Sequence, residues 1–264
     1  MNIKIIALDV DGTLLNDKHQ ISDNTKRTIR RVSKLGARIV LCTGRGAISA
    51  QPIMKELELE GVMITHNGAS IMHTSGEILY ENTFRVDDVR SLIEYCRRHD
   101  IHYDLNTSTK MIVDRMSDQA RSTYRDYLAE PEMVEDVLHV DEALVKFCIF
   151  ADKEEIDEVE KDWPPSRHPL HFIRSGDYFI DVMKPNVTKG GALYKLAELW
   201  GVKREEILAM GNYFNDIDML QTAGIGVAVN NSPDQVKKAA DEVTVSNNEE
   251  AVHVTLSKYF PLCT

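Results

Sequence analysis

The sequence predicts an α/β fold: a parallel sheet core with helices on both faces, into which an α+β domain is inserted. Three observations carry this. At both ends of the chain, short apolar runs rich in β-branched residues alternate with helical stretches, the rhythm of parallel strands joined by right-handed crossovers. Between residues 83 and 185 that rhythm gives way to alternating strands and hairpins. Each apolar run at the two ends stops abruptly in small or polar residues, as strands do where an open α/β sheet forms a crevice. The core is therefore Rossmann-like, built from residues 1–82 and 186–264, with 83–185 as the insertion. A chain of 264 residues is long enough to bury it.

The first run, residues 3–8, fits a strand buried on both faces and ends in Asp9-Val10-Asp11-Gly12-Thr13. Ser22 is a good N-cap for a helix to residue 35, stopped by Gly36. Residues 37–42 form the second strand, ending in Thr43-Gly44-Arg45, and a helix over 47–59 contains Pro52, which suggests a late start or a kink. Residues 62–65 are a third strand, followed by Asn67-Gly68. Residues 69–73 and 77–82 read as a hairpin.

In the insertion, 86–99 is an amphipathic helix, 101–106 and 111–115 are strands, and 117–128 is a polar helix. A strand over 143–151 precedes a charged helix, 154–163, stopped by Pro164-Pro165. Strands at 170–174 and 179–183 are joined through Ser175-Gly176-Asp177. The α/β rhythm then resumes with helices at 188–200, 217–223, 233–240 and 249–260. Strands fall at 207–210, 226–229 and 243–245.

Charge and cysteine content narrow the class. The net charge of −11 argues against nucleic acid or an anionic membrane as the main partner. Cys42, Cys96, Cys148 and Cys263 lack zinc or CxxC spacing, so reduced thiols are expected, with Cys42 and Cys148 as buried strand residues. No cleavable leader and no transmembrane-length apolar run is read, so the cytoplasm is the expected location.

Four junctions carry chemistry. In a still-extended backbone Asp9 and Asp11 point to one side, and carboxylates that close either share a proton or bind a cation such as Mg²⁺. Thr43-Gly44 offers a hydroxyl and an exposed backbone N–H at a helix start, an anion site. Lys189 stands at a helix start beside Gly190 and Gly191. Gly211-Asn212 with Asn215-Asp216 closes the set. Singly, each has a plainer reading: a DG turn, an ordinary strand-to-helix turn, a solvated lysine, a polar turn capping a helix through Asn215. Asn67-Gly68 is either a pocket edge or a simple turn.

Together, D-x-D-G-T-L-L from Asp9, T-G-R from Thr43, Lys189 followed by glycine, and G-N-x-x-N-D from Gly211 resemble the haloacid dehalogenase superfamily. Within it the chain looks most like Cof-type phosphatases, which carry a large C2-type cap between the second and third motifs. The resemblance spans the whole chain. It implies a Mg²⁺-dependent phosphatase that hydrolyses small phosphomonoesters (sugar phosphates or nucleotide- and flavin-related metabolites) through an aspartyl phosphate. Asp9 is then the nucleophile, and Asp11 the general acid and base, protonated at the start. Asp9, the Asp11 carbonyl and Asn212 hold Mg²⁺, with Asp216 completing the metal set through water or behind the ligands. Val10, Thr43, Gly44, Lys189 and Asn215 bind the phosphate, Asn215 doing so directly or by orienting Lys189.

One departure matters, since many members carry Asp where this chain has Asn212. The resemblance further implies that the cap closes over the crevice and sets specificity. Lys110, Arg115, Tyr103 and Tyr178 are candidate contacts there, each equally readable as a surface or packing residue. The implied partner is a small phosphorylated metabolite, with no nucleic acid and no membrane, and the implied state is a monomer. Two alternatives stand beside this reading: a phosphomutase of the same superfamily, and a catalytically weakened phosphate-binding or sensing member, for which Asn212 is the clue.

Overall fold

Strand β1 (Ile5–Leu8) is wholly buried, as an uninterrupted apolar run at the centre of a parallel sheet must be. Burying a side chain such as Ile5 or Leu8 is worth roughly 1.5–3 kcal/mol. Helix α1 (Asp23–Lys34) starts at Ser22, whose Oγ accepts the Thr25 N–H at 3.1 Å, and buries Thr25, Thr28, Ile29 and Val32 on one face. Gly36, with φ of 99°, ends it. β2 (Arg38–Cys42) is followed by α2 (Ala47–Glu56), which contains Pro52 and stops short of the expected residue 59. β3 (Val62–Thr65), β4 (Ser70–His73) and β5 (Ile78–Glu81) follow, β4 running antiparallel to β3.

The computed structural model describes residues 2–126, 129–163, 169–174 and 178–261. It divides into two units, one of Met1–Arg45, Ala50–Leu79 and Thr188–Thr264, the other of Gly46–Ser49 and Tyr80–Val187. The expected turns at Pro164-Pro165 and Ser175-Gly176-Asp177, the end of the helix at Leu128, and Cys263 lie outside the described residues. Cys42, Cys96 and Cys148 are buried free thiols.

In the second unit the helix expected over 86–99 is split. A 3₁₀ turn, Val86–Val89, precedes α3 (Arg90–Arg98), and the Asp88 carboxylate ties that turn to the Arg85 N–H at 2.8 Å. Next come β6 (His102–Asn106), β7 (Met111–Val113), α4 (Asp118–Asp126), the two-residue β8 (Glu132–Met133), β9 (Lys146–Phe150), α5 (Lys153–Asp162), β10 (His171–Arg174) and β11 (Phe179–Met183). The sheet order is β10-β11-β9-β6-β7-β8, antiparallel except for the parallel β7–β8 pair. The period of two sorts its faces. Tyr103, Leu105, Phe147, Ile149, Ile180 and Val182 join an apolar core with α3 and α5 residues. The alternate positions carry Asp104, Asn106, Lys146 and Asp181, with Asp104 and Asp181 both opposite Cys148.

The expected cap contacts are mostly tied up within this unit. Tyr103 is fully buried, its hydroxyl accepting from Arg97 Nε at 2.9 Å and donating to Asp114 at 3.0 Å. The Arg115 guanidinium lies 4.9 Å from the Tyr103 ring centroid and donates to the Ile101 carbonyl at 2.6 Å. Lys110 pairs with Glu132 and Glu142 at 3.2 and 3.3 Å. Tyr178 is broadly exposed, at 51%, and the Lys110 side chain nearly as much, at 46%.

One contact on the polar face fixes a pH response. The Tyr124 hydroxyl donates to Asp104 Oδ2 at 3.0 Å, so at 2.7 Å it must accept the proton of His102 Nε2. Burial first, and then the Arg115 charge, lower the His102 pKa from 6.5 to about 4. Between those values the unfolded chain binds a proton that the folded chain refuses, so stability is full above pH 6.5 and is lost as pH falls toward 4. After allowing for partial solvent access to the ring, the loss is about 1 kcal/mol by pH 5. Thermal unfolding should show wild type losing more between pH 7 and 5 than His102→Gln, whose amide can still donate to Tyr124. Equal losses would rule the ring out as the cause.

The first unit resumes with α6 (Lys189–Trp200), β12 (Ile207–Gly211), α7 (Ile217–Thr222), β13 (Ile225–Ala228), α8 (Asp234–Ala239), β14 (Glu242–Val243) and α9 (Ala251–Tyr259). The eight strands run β14-β13-β12-β1-β2-β3-β4-β5, with every pair from β14 through β3 parallel. From β1 the order steps one way through β2 and β3, while from β12 it steps the other way through β13 and β14. Right-handed crossovers therefore put helices on both faces, α1 packing with α9 and α6 with α7. The reversal between β1 and β12 is the switch point at which such sheets open a crevice beyond their carboxyl ends. Among the described residues, no helix is long and apolar enough to cross a membrane.

Candidate active site

The carboxyl ends of β1, β2, β3 and β12 deliver Asp9, Thr43, Asn67 and Asn212 to that crevice. Register holds them there: the Asp9 N–H donates to Met210 O at 3.0 Å and the Thr43 N–H to Ile64 O at 2.9 Å. Lys189 enters from the first turn of α6, whose N-cap Thr188 accepts the Gly191 N–H at 3.0 Å.

The electrostatic centre is Lys189, 1% exposed. Its Nζ donates to Asp9 Oδ1 at 2.7 Å and to Asp216 Oδ1 at 2.6 Å. Burial alone would lower the Lys189 pKa, but the Asp216 and Asp9 carboxylates outweigh it and hold the ammonium well above its ordinary range. Asp9 is pushed up to about 7, mainly by burial and then by the Asp216 charge, against the pull of Lys189. Two buried carboxylates share one ammonium, so one negative charge is left over for a cation to balance. Asp216 also accepts the Asn212 and Tyr213 N–H groups through Oδ2, at 2.9 and 3.0 Å. Both of its oxygens are thus engaged by the chain's own donors.

Asp11 differs from Asp9 in every respect. Its side chain is 42% exposed and paired bidentately with Arg45, Nε to Oδ2 at 2.8 Å and a terminal nitrogen to Oδ1 at 2.6 Å. The sequence expectation of a carboxyl free to carry a proton to the leaving group thus meets a side chain whose two oxygens both accept from a guanidinium. In the sequence Arg45 stands only as the last residue of T-G-R, and a contact across 34 positions leaves no local signal.

Asn67 lies beside these residues, in a turn that is also tight. The turn His66-Asn67-Gly68 has three consecutive positive φ values, 49°, 55° and 101°. Asn67 Oδ1 accepts from Asn215 Nδ2 at 3.0 Å, fixing that amide. A Cβ at Gly68 would lie 2.1 Å from the Thr188 carbonyl, so the turn lies directly against the helix start that carries Lys189. A Cβ on Gly44 would meet Asn67 Oδ1 at 3.0 Å, which keeps the Thr43-Gly44 backbone close to this amide. Val10, fully buried, lies between the two aspartates, and its carbonyl accepts the Leu14 and Leu15 N–H groups at 3.1 and 2.9 Å.

Three oxygen positions fit a small hard cation. They are Asp9 Oδ2, the Asp11 carbonyl and the inward atom of the Asn212 amide, which is 3.0 and 2.9 Å from the first two. Such separations match neighbouring corners of an octahedron with metal–oxygen distances of about 2.1 Å. Among the described residues no three His, Cys, Asp or Glu side chains gather as a metal site. The reason is visible here, since two of the three corners are a main-chain carbonyl and an amide.

This constellation lies on a doubly wound sheet, and comparison with known proteins gives the class of the chain. A haloacid dehalogenase-like hydrolase profile matches residues 6–256. The 5-amino-6-(5-phospho-D-ribitylamino)uracil phosphatase YitU of Bacillus subtilis is 30% identical, with 98% of each chain aligned. The phosphatase YwpJ of the same organism is 27% identical over 95% of this chain and 97% of its own. A crystal structure of a haloacid dehalogenase-like hydrolase from Bacteroides thetaiotaomicron superposes with a TM-score of 0.91 at 29% identity, covering 98% of this chain and 100% of that one. The chain belongs to the haloacid dehalogenase-like hydrolase family, and it is a phosphoric monoester hydrolase of that family.

Proposed function

We propose that this chain hydrolyses small phosphomonoesters, such as sugar phosphates or nucleotide- and flavin-related metabolites, with Mg²⁺ and through an aspartyl phosphate on Asp9. The observation that carries the reading is the division of labour at Asp9: Oδ1 faces the Lys189 ammonium, and Oδ2 faces the Asn212 amide and the Asp11 carbonyl. When bound, Mg²⁺ supplies a positive centre that neutralises phosphoryl oxygens and orients one of them beside Asp9. Asp9 Oδ2, the Asp11 carbonyl and Asn212 would hold it, with Asp216 behind them positioning Asn212 and Lys189.

Asp9 Oδ1 attacks phosphorus, and the bond from phosphorus to the leaving oxygen breaks. Asp11 gives its proton to that oxygen, so the product alcohol departs neutral. A water then attacks the aspartyl phosphate, Asp11 takes its proton, and inorganic phosphate and the Asp9 carboxylate are released. Asp11 must exchange Arg45 for the leaving group to act as acid, and its partly exposed side chain has room to turn. Thr43, the Gly44 and Val10 N–H groups, Lys189 and Asn215 bind the phosphoryl oxygens and offset charge as it moves in line.

We assign the inserted residues 83–185 to substrate selection in a cap, supported by a polar row on one sheet face, the buried Asp104, Asn106 and Asp181 with the half-buried Lys146. YitU, by its name, acts on a phosphorylated ribitylamino compound, and the ribityl and sugar phosphates are therefore the first substrates to try. A cytoplasmic monomer without nucleic-acid or membrane partners completes the proposal. The test is phosphate release from hexose, pentose, ribityl and nucleoside monophosphates and p-nitrophenyl phosphate with Mg²⁺. Turnover of at least one ester, lost in Asp9→Asn, is expected. Silence of wild type across the panel, or equal release by Asp9→Asn, would overturn it.

A further inference from the structure

We propose that Asn212 is a two-ended ligand: its oxygen end completes the cation site, and its nitrogen end, turned inward, closes the same site by hydrogen bonds when no cation is held. This rests on the Mg²⁺ reading of the site given above.

The inward end of the amide meets three oxygens: Asp9 Oδ2 at 3.0 Å, the Asp11 carbonyl at 2.9 Å and Thr13 Oγ1 at 3.1 Å. With oxygen inward, the first two contacts join acceptor to acceptor and are favourable only around a cation. With nitrogen inward, the same atom donates to Asp9 Oδ2 or the Asp11 carbonyl at ordinary hydrogen-bond distances. Thr13 accommodates both, because its hydroxyl can donate to the amide oxygen or accept from the amide nitrogen. Gly12 leaves room for the outer end, since a Cβ there would lie 2.4 Å from it. The exchange is a half-turn of the amide about its Cβ–Cγ bond, and the backbone stays held by the Asn212 N–H on Asp216 Oδ2 at 2.9 Å.

An aspartate at this position could not do the same. It would always present an oxygen to Asp9 Oδ2 and the Asp11 carbonyl, binding the cation with an extra charge but leaving a like-charge contact beside Asp9 in its absence. Asn212 therefore trades cation affinity for a metal-free site that is satisfied internally. The consequence is a protein whose cation occupancy follows the free Mg²⁺ concentration over a higher range than an aspartate would give.

The experiment is thermal unfolding of wild type and Asn212→Asp, in chelator and across a Mg²⁺ titration. In chelator, wild type is expected to melt several degrees above Asn212→Asp. Mg²⁺ should raise the melting temperature of Asn212→Asp more, with a midpoint at least about tenfold lower in concentration. Equal stability in chelator together with equal midpoints overturns the inference while leaving the Mg²⁺ site intact. No response of either protein to Mg²⁺ overturns the Mg²⁺ reading and this inference with it. If Asn212→Asp does not fold, the wild-type protein decides. The Asn212 side-chain amide protons, identified by their absence in Asn212→Ala, should be protected from exchange in chelator and lose that protection with Mg²⁺. Amide protons indifferent to Mg²⁺ overturn the inference.

Discussion

Lys189→Met is expected to abolish phosphate release and to lower the melting temperature by on the order of 10 °C. Its ammonium is the shared partner of Asp9 Oδ1 and Asp216 Oδ1, and all three side chains are buried. Methionine fills a similar volume but leaves two carboxylates without a counter-charge. Removing one member of a buried ion pair costs about 3–5 kcal/mol, because the remaining charge stays desolvated. Relief comes only by protonation, and Asp9 already stands at about 7 with Lys189 present. Without Lys189 its proton is held more tightly still, so the nucleophile is lost at neutral pH. The lysine is held above its ordinary pKa, so its stabilisation is present throughout neutral pH and fades only in strong alkali. Calorimetry and phosphate release read the two effects separately. A variant that melts within a degree or two of wild type would contradict the charge balance described for this site.

Asp11→Asn should reduce turnover of an alkyl phosphate by about 10²–10⁴-fold, the usual worth of a positioned acid and base. The loss in the first step should be much smaller for p-nitrophenyl phosphate, whose leaving group departs without a proton. Hydrolysis of the aspartyl phosphate still needs a base, so that intermediate should accumulate with either ester. Stability should change less than in Lys189→Met, because the Asp11 side chain is partly exposed and asparagine keeps one acceptor for Arg45. An equal first-step loss, read as the rate of leaving-group release in a single turnover, for good and poor leaving groups alike would remove Asp11 from the acid role and leave it a partner of Arg45.

Much of this molecule could be read from sequence because parallel strands buried on both faces leave continuous apolar runs. The stretches ending at Leu8, Cys42, Thr65 and Gly211 are such runs, and in this topology their carboxyl ends face one crevice. Asp9, Thr43 and Asn212 are legible for that reason, and Lys189 from its place at a helix start beside two glycines. What lay hidden was through-space pairing. Nothing local to Asn67 indicates that it holds Asn215, 148 positions away, and nothing in T-G-R reveals that its arginine clamps Asp11. In the insertion, Tyr103 and Arg115 have the chemistry of ligand contacts, but strand register sends Tyr103 into the apolar core, and Arg115, past the end of β7, lies over its ring. The same register gathers Asp104, Lys146 and Asp181 from three strands, which no single stretch could show. β8 is two exposed residues long, below what periodicity can detect.

In the proposed mechanism Asp9 carries the phosphoryl group. Asp11→Asn protein should be mixed with a turned-over phosphomonoester and Mg²⁺, quenched in acid and digested, and the mass of the peptide containing Asp9 measured. The expected result is the added mass of one phosphoryl group on Asp9, absent when Asp9→Asn is combined with Asp11→Asn. A phosphoryl group on any other residue, or turnover by wild type with no phosphorylated Asp9 trapped in the variant, would contradict it.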